Sequence, residues 1–188
     1  MGEIDLDQAF RQYSPYVARI CIRLLGRDSD VDDCVQQVFL IAAKGVSRIR
    51  DPEALKGWLA TVAVRVARKR IRARRFKAFL HLDETPEYDR LAAPGATPEE
   101  RAMLSRVYAA LDGFPADDRT AWLLRYVEGE KLERVAELCD CSLATAKRRI
   151  ARAHQTLSKV IGDGTVSSGD PKPPVALSEE KAKLEGAE

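Results

Sequence analysis

From Phe10 onward, apolar residues recur at steps of three and four. Phe10, Tyr13, Val17, Ile20 and Leu24 fall on one helical face, and Gly26 offers its stop. The same period returns in Val31, Cys34, Val38 and Ile41 up to Gly45, behind a Ser29/Asp32 pair spaced like a capping box and acids that suit a helix N-terminus. Asp51 and Pro52 then supply a cap and a first-turn proline for a third helix, whose apolar face holds Leu55, Trp58, Leu59, Val62 and Val66. Between His81 and Thr97 the periodicity vanishes among Pro86, Pro94, Gly95 and several acids, which predicts a linker.

Thr97, Pro98 and Glu100 restart a helix with a cap, a first-turn proline and an acid three residues on; Leu104, Val107 and Leu111 follow as its buried face. Gly113 and Pro115 precede a helix over Ala116 to Glu128 that is apolar almost all round near Trp122 and therefore central. A short helix around Leu132, Val135 and Leu138, a tight turn at Cys139, Asp140 and Cys141, and a last helix capped by Ser142 make a helix, a turn and a helix. Asp140 falls where that turn needs a left-handed residue, a position Asp tolerates. From Gly162 the chain is rich in proline, serine and charge, too polar to build a core. The expected fold is all-α: an N-terminal helical bundle over 1–80, a flexible linker over 81–97, a helix-turn-helix domain over 98–161 and a disordered tail over 162–188.

Composition supports this class, because 45% of the 188 residues are hydrophobic but only 6% aromatic and 32% are charged, a balance that suits small helical bundles. No apolar run approaches the ~18 residues of a membrane span, and the acidic start at Met1 to Phe10 lacks a signal peptide's basic region; a cytoplasmic protein without membrane insertion is expected. In that compartment Cys21, Cys34, Cys139 and Cys141 stay thiols. Cys139, Cys141 and His154 are too few and too scattered for a metal, although nearby cations could favour a reactive thiolate in the turn. No phosphate loop, no nucleophile with a matched base and no paired carboxylates occur, so neither an enzyme nor a cofactor is expected.

Charge distribution changes the picture more than net charge, which is only +2. Eight residues between Arg65 and Lys77 are basic and none is acidic, so the third helix carries positive charge around most of its circumference, more than a globular core could hold. Such a helix neutralises phosphates and releases counterions, giving affinity without sequence information. The last helix divides differently. Leu143, Ala146, Ile150, Ala153 and Leu157 form its core stripe, leaving Ala144, Thr145, Lys147, Arg148, Arg149 and Arg152 outward, as a recognition helix in a major groove requires.

Residues 117–157 closely resemble the fourth conserved region of the extracytoplasmic-function (ECF) sigma factors, and the stretch from Asp28 to Ala63, with its Gln36, Gln37, Val38, Phe39 run and Trp58-Leu59 pair, resembles their second region. The resemblance implies a protein that binds RNA polymerase core, at clamp and flap, and directs it to promoter DNA. Asp32, Asp33, Gln36 and Gln37 would contact polymerase. Arg50, Arg65, Arg68, Lys69 and Arg72 would lie at the minus-ten element, where Ile49, Arg50, Asp51 and Leu55 would border a pocket for a flipped base, with core packing as the alternative for Ile49 and Leu55. Lys147, Arg148 and Arg152 would read minus-thirty-five bases, with Thr145 and Arg149 on phosphates. Arg65 stands where similar sigma factors often carry asparagine, and Lys69 where they often carry an acid. Arginine prefers guanine or phosphate to the adenine edge that asparagine pairs with, so an altered minus-ten preference is expected. A cognate anti-sigma factor stays open, as do two rival readings: a regulator that binds DNA unaided and an RNA-binding adaptor.

Overall fold

The structure, a computed structural model, describes residues 6–26, 30–46, 49, 51, 53–80, 88, 91–92 and 95–161. Among these residues all regular structure is helical: α1 (Leu6–Leu25), α2 (Val31–Gly45), α3 (Glu53–Phe79), α4 (Pro98–Asp112), α5 (Ala116–Tyr126), α6 (Leu132–Leu138) and α7 (Leu143–Ile161). The local signals act where the sequence places them. Asp51 caps α3 by accepting the Glu53 amide at 3.0 Å. Thr97 and Glu100 exchange both bonds of a capping box at 3.2 and 2.8 Å. Asp140 sits at φ 53°, the left-handed bend between α6 and α7, and Ser142 accepts the Thr145 amide at 3.2 Å. At α2 the N-cap is Asp30, whose side chain makes no capping bond, and Ser29 lies outside the described residues.

The first half packs α1 against α2 and α3. Val17, Ile20 and Leu24 of α1, Val38 of α2 and Leu59, Ala63 and Ala67 of α3 are all buried in one hydrophobic core. In the second half α5 is central, packed against α6 and α7, while α4 packs on α7. Its burial extends to polar residues: Asp118, Arg119 and Thr120 are all inside.

For Arg119 the reason is that the two halves are packed on one another, α5 and α6 lying along α3 and α5 touching α1. The last carbonyls of a helix have no partner within it. At the end of α1 these partners come from the second half: Tyr108 donates to the Arg23 carbonyl at 2.7 Å, and Arg119 to those of Leu24 and Leu25 at 3.2 and 3.0 Å. Arg119 also pairs with Asp112, and Arg23 with Glu128 at 3.1 Å. Gly26, at φ 72°, lets the chain turn there; a Cβ on it would come within 2.7 Å of the Tyr108 ring. Of the expected linker, most lies outside the described residues, but Tyr88 is buried beside the Tyr108 ring and its hydroxyl bonds Asp112. The tail over 162–188 also lies outside them.

Candidate nucleic-acid interface

The α7 stripe buries Ala146, Ile150, Ala153 and Leu157 as its spacing requires. Leu143, expected in that stripe, is 37% exposed at the first residue of α7. Ala144, Lys147, Arg148 and Arg152 are exposed, while Thr145 and Arg149 are half-buried. Thr145 shares a hydrogen bond with Ser142 at 2.9 Å. Arg149 turns back to Asp117 at 3.1 Å and Arg152 to Asp118 at 2.8 Å. Burial raises the Asp118 carboxyl above its ordinary value, against the opposing pull of Arg152 and Arg149.

On α3, Arg65 and Lys69 are exposed to solvent. Arg72 is also largely exposed, yet it pairs with Asp117 at 2.7 Å. Arg68 lies 3.6 Å from the same carboxylate and donates to the Cys139 carbonyl at 2.6 Å. Arg74 donates to the Leu25 carbonyl at 2.9 Å and pairs with Asp30, and Arg70 reaches toward Asp33 at 3.9 Å. The expectation that a globular core could not hold this stretch therefore fails for Arg68 and Arg74. Each is mostly covered and has oxygen partners on other elements, which offset the desolvation of a guanidinium. Arg50 lies outside the described residues. Leu55, 4% exposed, packs in the core, and Ile49 packs against it half-buried. Their packing role, one of the two readings, is the one the fold uses.

Asp32, Asp33, Gln36 and Gln37 share the outer face of α2 and are all exposed. One turn on, Leu40 is 60% exposed. Sequence reasoning passed over it, since it is apolar yet lies off the Val31, Cys34, Val38, Ile41 stripe. That mismatch was the available signal. An exposed leucine amid acids and glutamines is the composition of a protein contact whose centre is apolar.

In the turn, burial pushes the Cys139 thiol up to about 11 despite Arg68 and Arg149 nearby, so the cations do not make it a reactive thiolate. His154 lies against the Tyr126 ring at 5.5 Å. Among the described residues no three of His, Cys, Asp and Glu converge as metal ligands, and no helix is long and apolar enough to cross a membrane.

Comparison with known proteins follows the same division. Residues 9–77 match the family "Sigma-70 region 2" and residues 104–157 the family "Sigma-70, region 4". The chain is 30% identical over 156 residues to the ECF RNA polymerase sigma factor SigE of Mycolicibacterium smegmatis, covering 80% of this chain and 59% of that protein. It is 28% identical over 159 residues to the ECF RNA polymerase sigma-E factor of Escherichia coli K12, covering 80% of this chain and 83% of the relative. Among solved structures it is similar in fold to the sigma factor RpoE in complex with the anti-sigma factor NepR from Bartonella quintana, with a TM-score of 0.59 and 23% identity over 82% of this chain and 95% of that one. It is similar likewise to CnrH in complex with the cytosolic domain of CnrY, with a TM-score of 0.54 and 20% identity over 85% and 88%.

Proposed function

We propose that this chain, which belongs to the ECF sigma factors of the sigma-70 family, binds RNA polymerase core and gives it promoter specificity, its first half (1–80) acting at the minus-ten element and its second (98–161) at the minus-thirty-five element. The observation that carries this reading is the division of α7. Four residues of its stripe clamp it to the second half, while Lys147, Arg148 and Arg152 stand outward behind the left-handed turn at Asp140. In a major groove these side chains are within reach of base edges, and arginine or lysine to guanine is the commonest specific contact.

The protein contributes binding energy and not catalysis. Asp32, Asp33, Gln36 and Gln37, with Leu40, form the proposed clamp contact on α2. Arg65, Lys69 and the end of α3 meet duplex phosphates, and the loop with Arg50 borders the site where a base leaves its stack, at a cost of a few kcal/mol that polymerase binding offsets. With Arg65 in place of the usual asparagine, minus-ten preference moves away from an adenine contact; Arg65→Asn shifts the promoter profile in transcription with core enzyme, and an unchanged profile rejects this assignment. Because RpoE and CnrH are each held by a protein partner in their solved complexes, we include a cognate anti-sigma factor among the partners.

The deciding experiment is transcription in vitro with purified core polymerase, alongside gel shifts of the free chain. Specific transcripts only when core and chain are combined support the reading. Tight, sequence-specific binding by the free chain, with no effect on core, would point instead to an autonomous regulator.

A further inference from the structure

Two nucleophilic side chains lie outside everything assigned above. Cys21, one turn before the end of α1, and Cys34, in the first turn of α2, are both fully buried where the two helices pack along one another. Their Sγ atoms are 2.9 Å apart. That is closer than two non-bonded sulfur atoms rest in ordinary contact, and within about 1 Å of the ~2.05 Å of a covalent disulfide. Closing the gap asks for small side-chain rotations and not for a new path of either helix.

The surroundings give the two sulfurs different roles. Cys21 donates its S–H to Cys34, and this bond holds the Cys34 thiol below its ordinary value, with Arg70 adding to the effect and burial opposing it. Cys21, as the donor, is held above its own by the same bond and by burial. Sulfur attacks as the thiolate. Cys34 is therefore the attacking sulfur and Cys21 the resolving one.

We propose that Cys21 and Cys34 form a reversible dithiol–disulfide site in the first half, oxidised by hydrogen peroxide or another small hydroperoxide, which staples α1 to α2. The Cys34 thiolate attacks one peroxide oxygen and the O–O bond breaks, leaving a sulfenic acid on Cys34 and a hydroxide that takes up the proton Cys34 lost. The Cys21 sulfur then attacks the Cys34 sulfur; the S–S bond forms, the S–O bond breaks, and the hydroxyl leaves with the Cys21 proton as water. In sum two thiols and one hydrogen peroxide become one disulfide and two waters, each sulfur giving up one electron and the peroxide taking two. A small neutral oxidant suits the site, because both sulfurs are buried near the ends of their helices and are reached by local opening there. The bridge closes the loop between residues 21 and 34, which restricts the unfolded chain and so stabilises the first half. It concerns the covalent state of the chain and does not rest on the sigma-factor reading.

The test treats the full chain with hydrogen peroxide, blocks the remaining thiols after denaturation and digests with trypsin. Expected is peptide 20–23 joined to peptide 28–44, a pair that dithiothreitol separates. The oxidised chain should melt roughly 5–15 °C above the reduced one by circular dichroism. The rise should be absent from Cys21→Ala and Cys34→Ala. In Cys21→Ala the sulfenic acid on Cys34 should persist and be trapped by dimedone, whereas Cys34→Ala should leave Cys21 unmodified. Should either variant fail to fold, the joined peptides and the reducible rise in the wild type still decide. Recovery of Cys21 and Cys34 as free thiols after Cys141 has been oxidised overturns the proposal. So does a Cys34 that passes to sulfinic acid without joining Cys21, or a joined chain that melts no higher than the reduced one. Core-dependent transcription is read on the reduced chain, so the sigma assignment and the dithiol site stand or fall independently.

Discussion

At the scale of single residues, the sharpest outcomes concern positions where two forces oppose. Asp140 holds φ 53°, which costs a non-glycine residue on the order of 1–2 kcal/mol and which its short polar side chain partly offsets. Asp140→Gly should therefore raise stability by a few tenths to about 1 kcal/mol, and Asp140→Val should lower it by more than that, both read as urea midpoints. In the same turn, cations and burial compete over Cys139, and burial wins. At pH 8 a thiol that titrates near 11 holds only about a thousandth of its population as thiolate. Iodoacetamide should accordingly modify the half-exposed Cys141 first and leave Cys139 intact, read by fragment-ion sequencing of the tryptic peptide 135–147 that carries both. Equal rates at both would remove the argument. Cys21 and Cys34, with thiols 2.9 Å apart and both buried, belong to the core between α1 and α2.

At the scale of elements, α2 has a buried face and an exposed face of different composition. Val38, Cys34 and Ala42 hold it to the bundle, and the outward Asp33, Gln36, Gln37 and Leu40 are available to a partner. Leu40→Glu should leave the thermal midpoint within about a degree, since an exposed substitution costs little. It should weaken binding to core polymerase tenfold or more, as loss of an apolar anchor does. A folded variant with undiminished affinity would move the clamp contact elsewhere. The capping box of α4 is independent of all this; Thr97→Ala should cost about 1 kcal/mol whatever the partner.

At the scale of the whole molecule, the two halves are joined through buried polar groups. Arg119, 1% exposed, supplies the end of α1 with hydrogen bonds and pairs with Asp112. Asp112 is 33% exposed and can be re-solvated, so the loss of Arg119 is felt chiefly at the Leu24 and Leu25 carbonyls, about 1–3 kcal/mol for each acceptor left without its donor. Arg119→Met should lower stability by that order, and Arg119→Lys, which keeps charge but not the planar reach to two carbonyls, should recover only part. Trp58 lies in the first half and Trp122 in the second, so fluorescence of single-tryptophan chains reports each half separately. The substitution should shift both probes; a shift confined to Trp122 would mean that Arg119 serves its own half alone.

Much of this was legible along the chain. The period of three and four placed the helices, because burial of an amphipathic helix depends only on which residues share a face. The spacing of Leu143 to Leu157 therefore also named Lys147, Arg148 and Arg152 as exposed cations of α7, though not Arg149, which turns to Asp117, and Asp140 announced the bend before it. The fate of the basic stretch was not legible, since whether an arginine faces water or an inward carboxylate depends on a partner far away in sequence: Asp117 for Arg68 and Arg72, the end of α1 for Arg74 and Arg119. Sequence by itself determined the helical class, the buried stripe of α7 and the family resemblance, all of which are local and periodic. Only the tertiary structure decided which cations are spent on the protein itself, because long charged side chains follow the nearest acceptor in space and not their position on the helix.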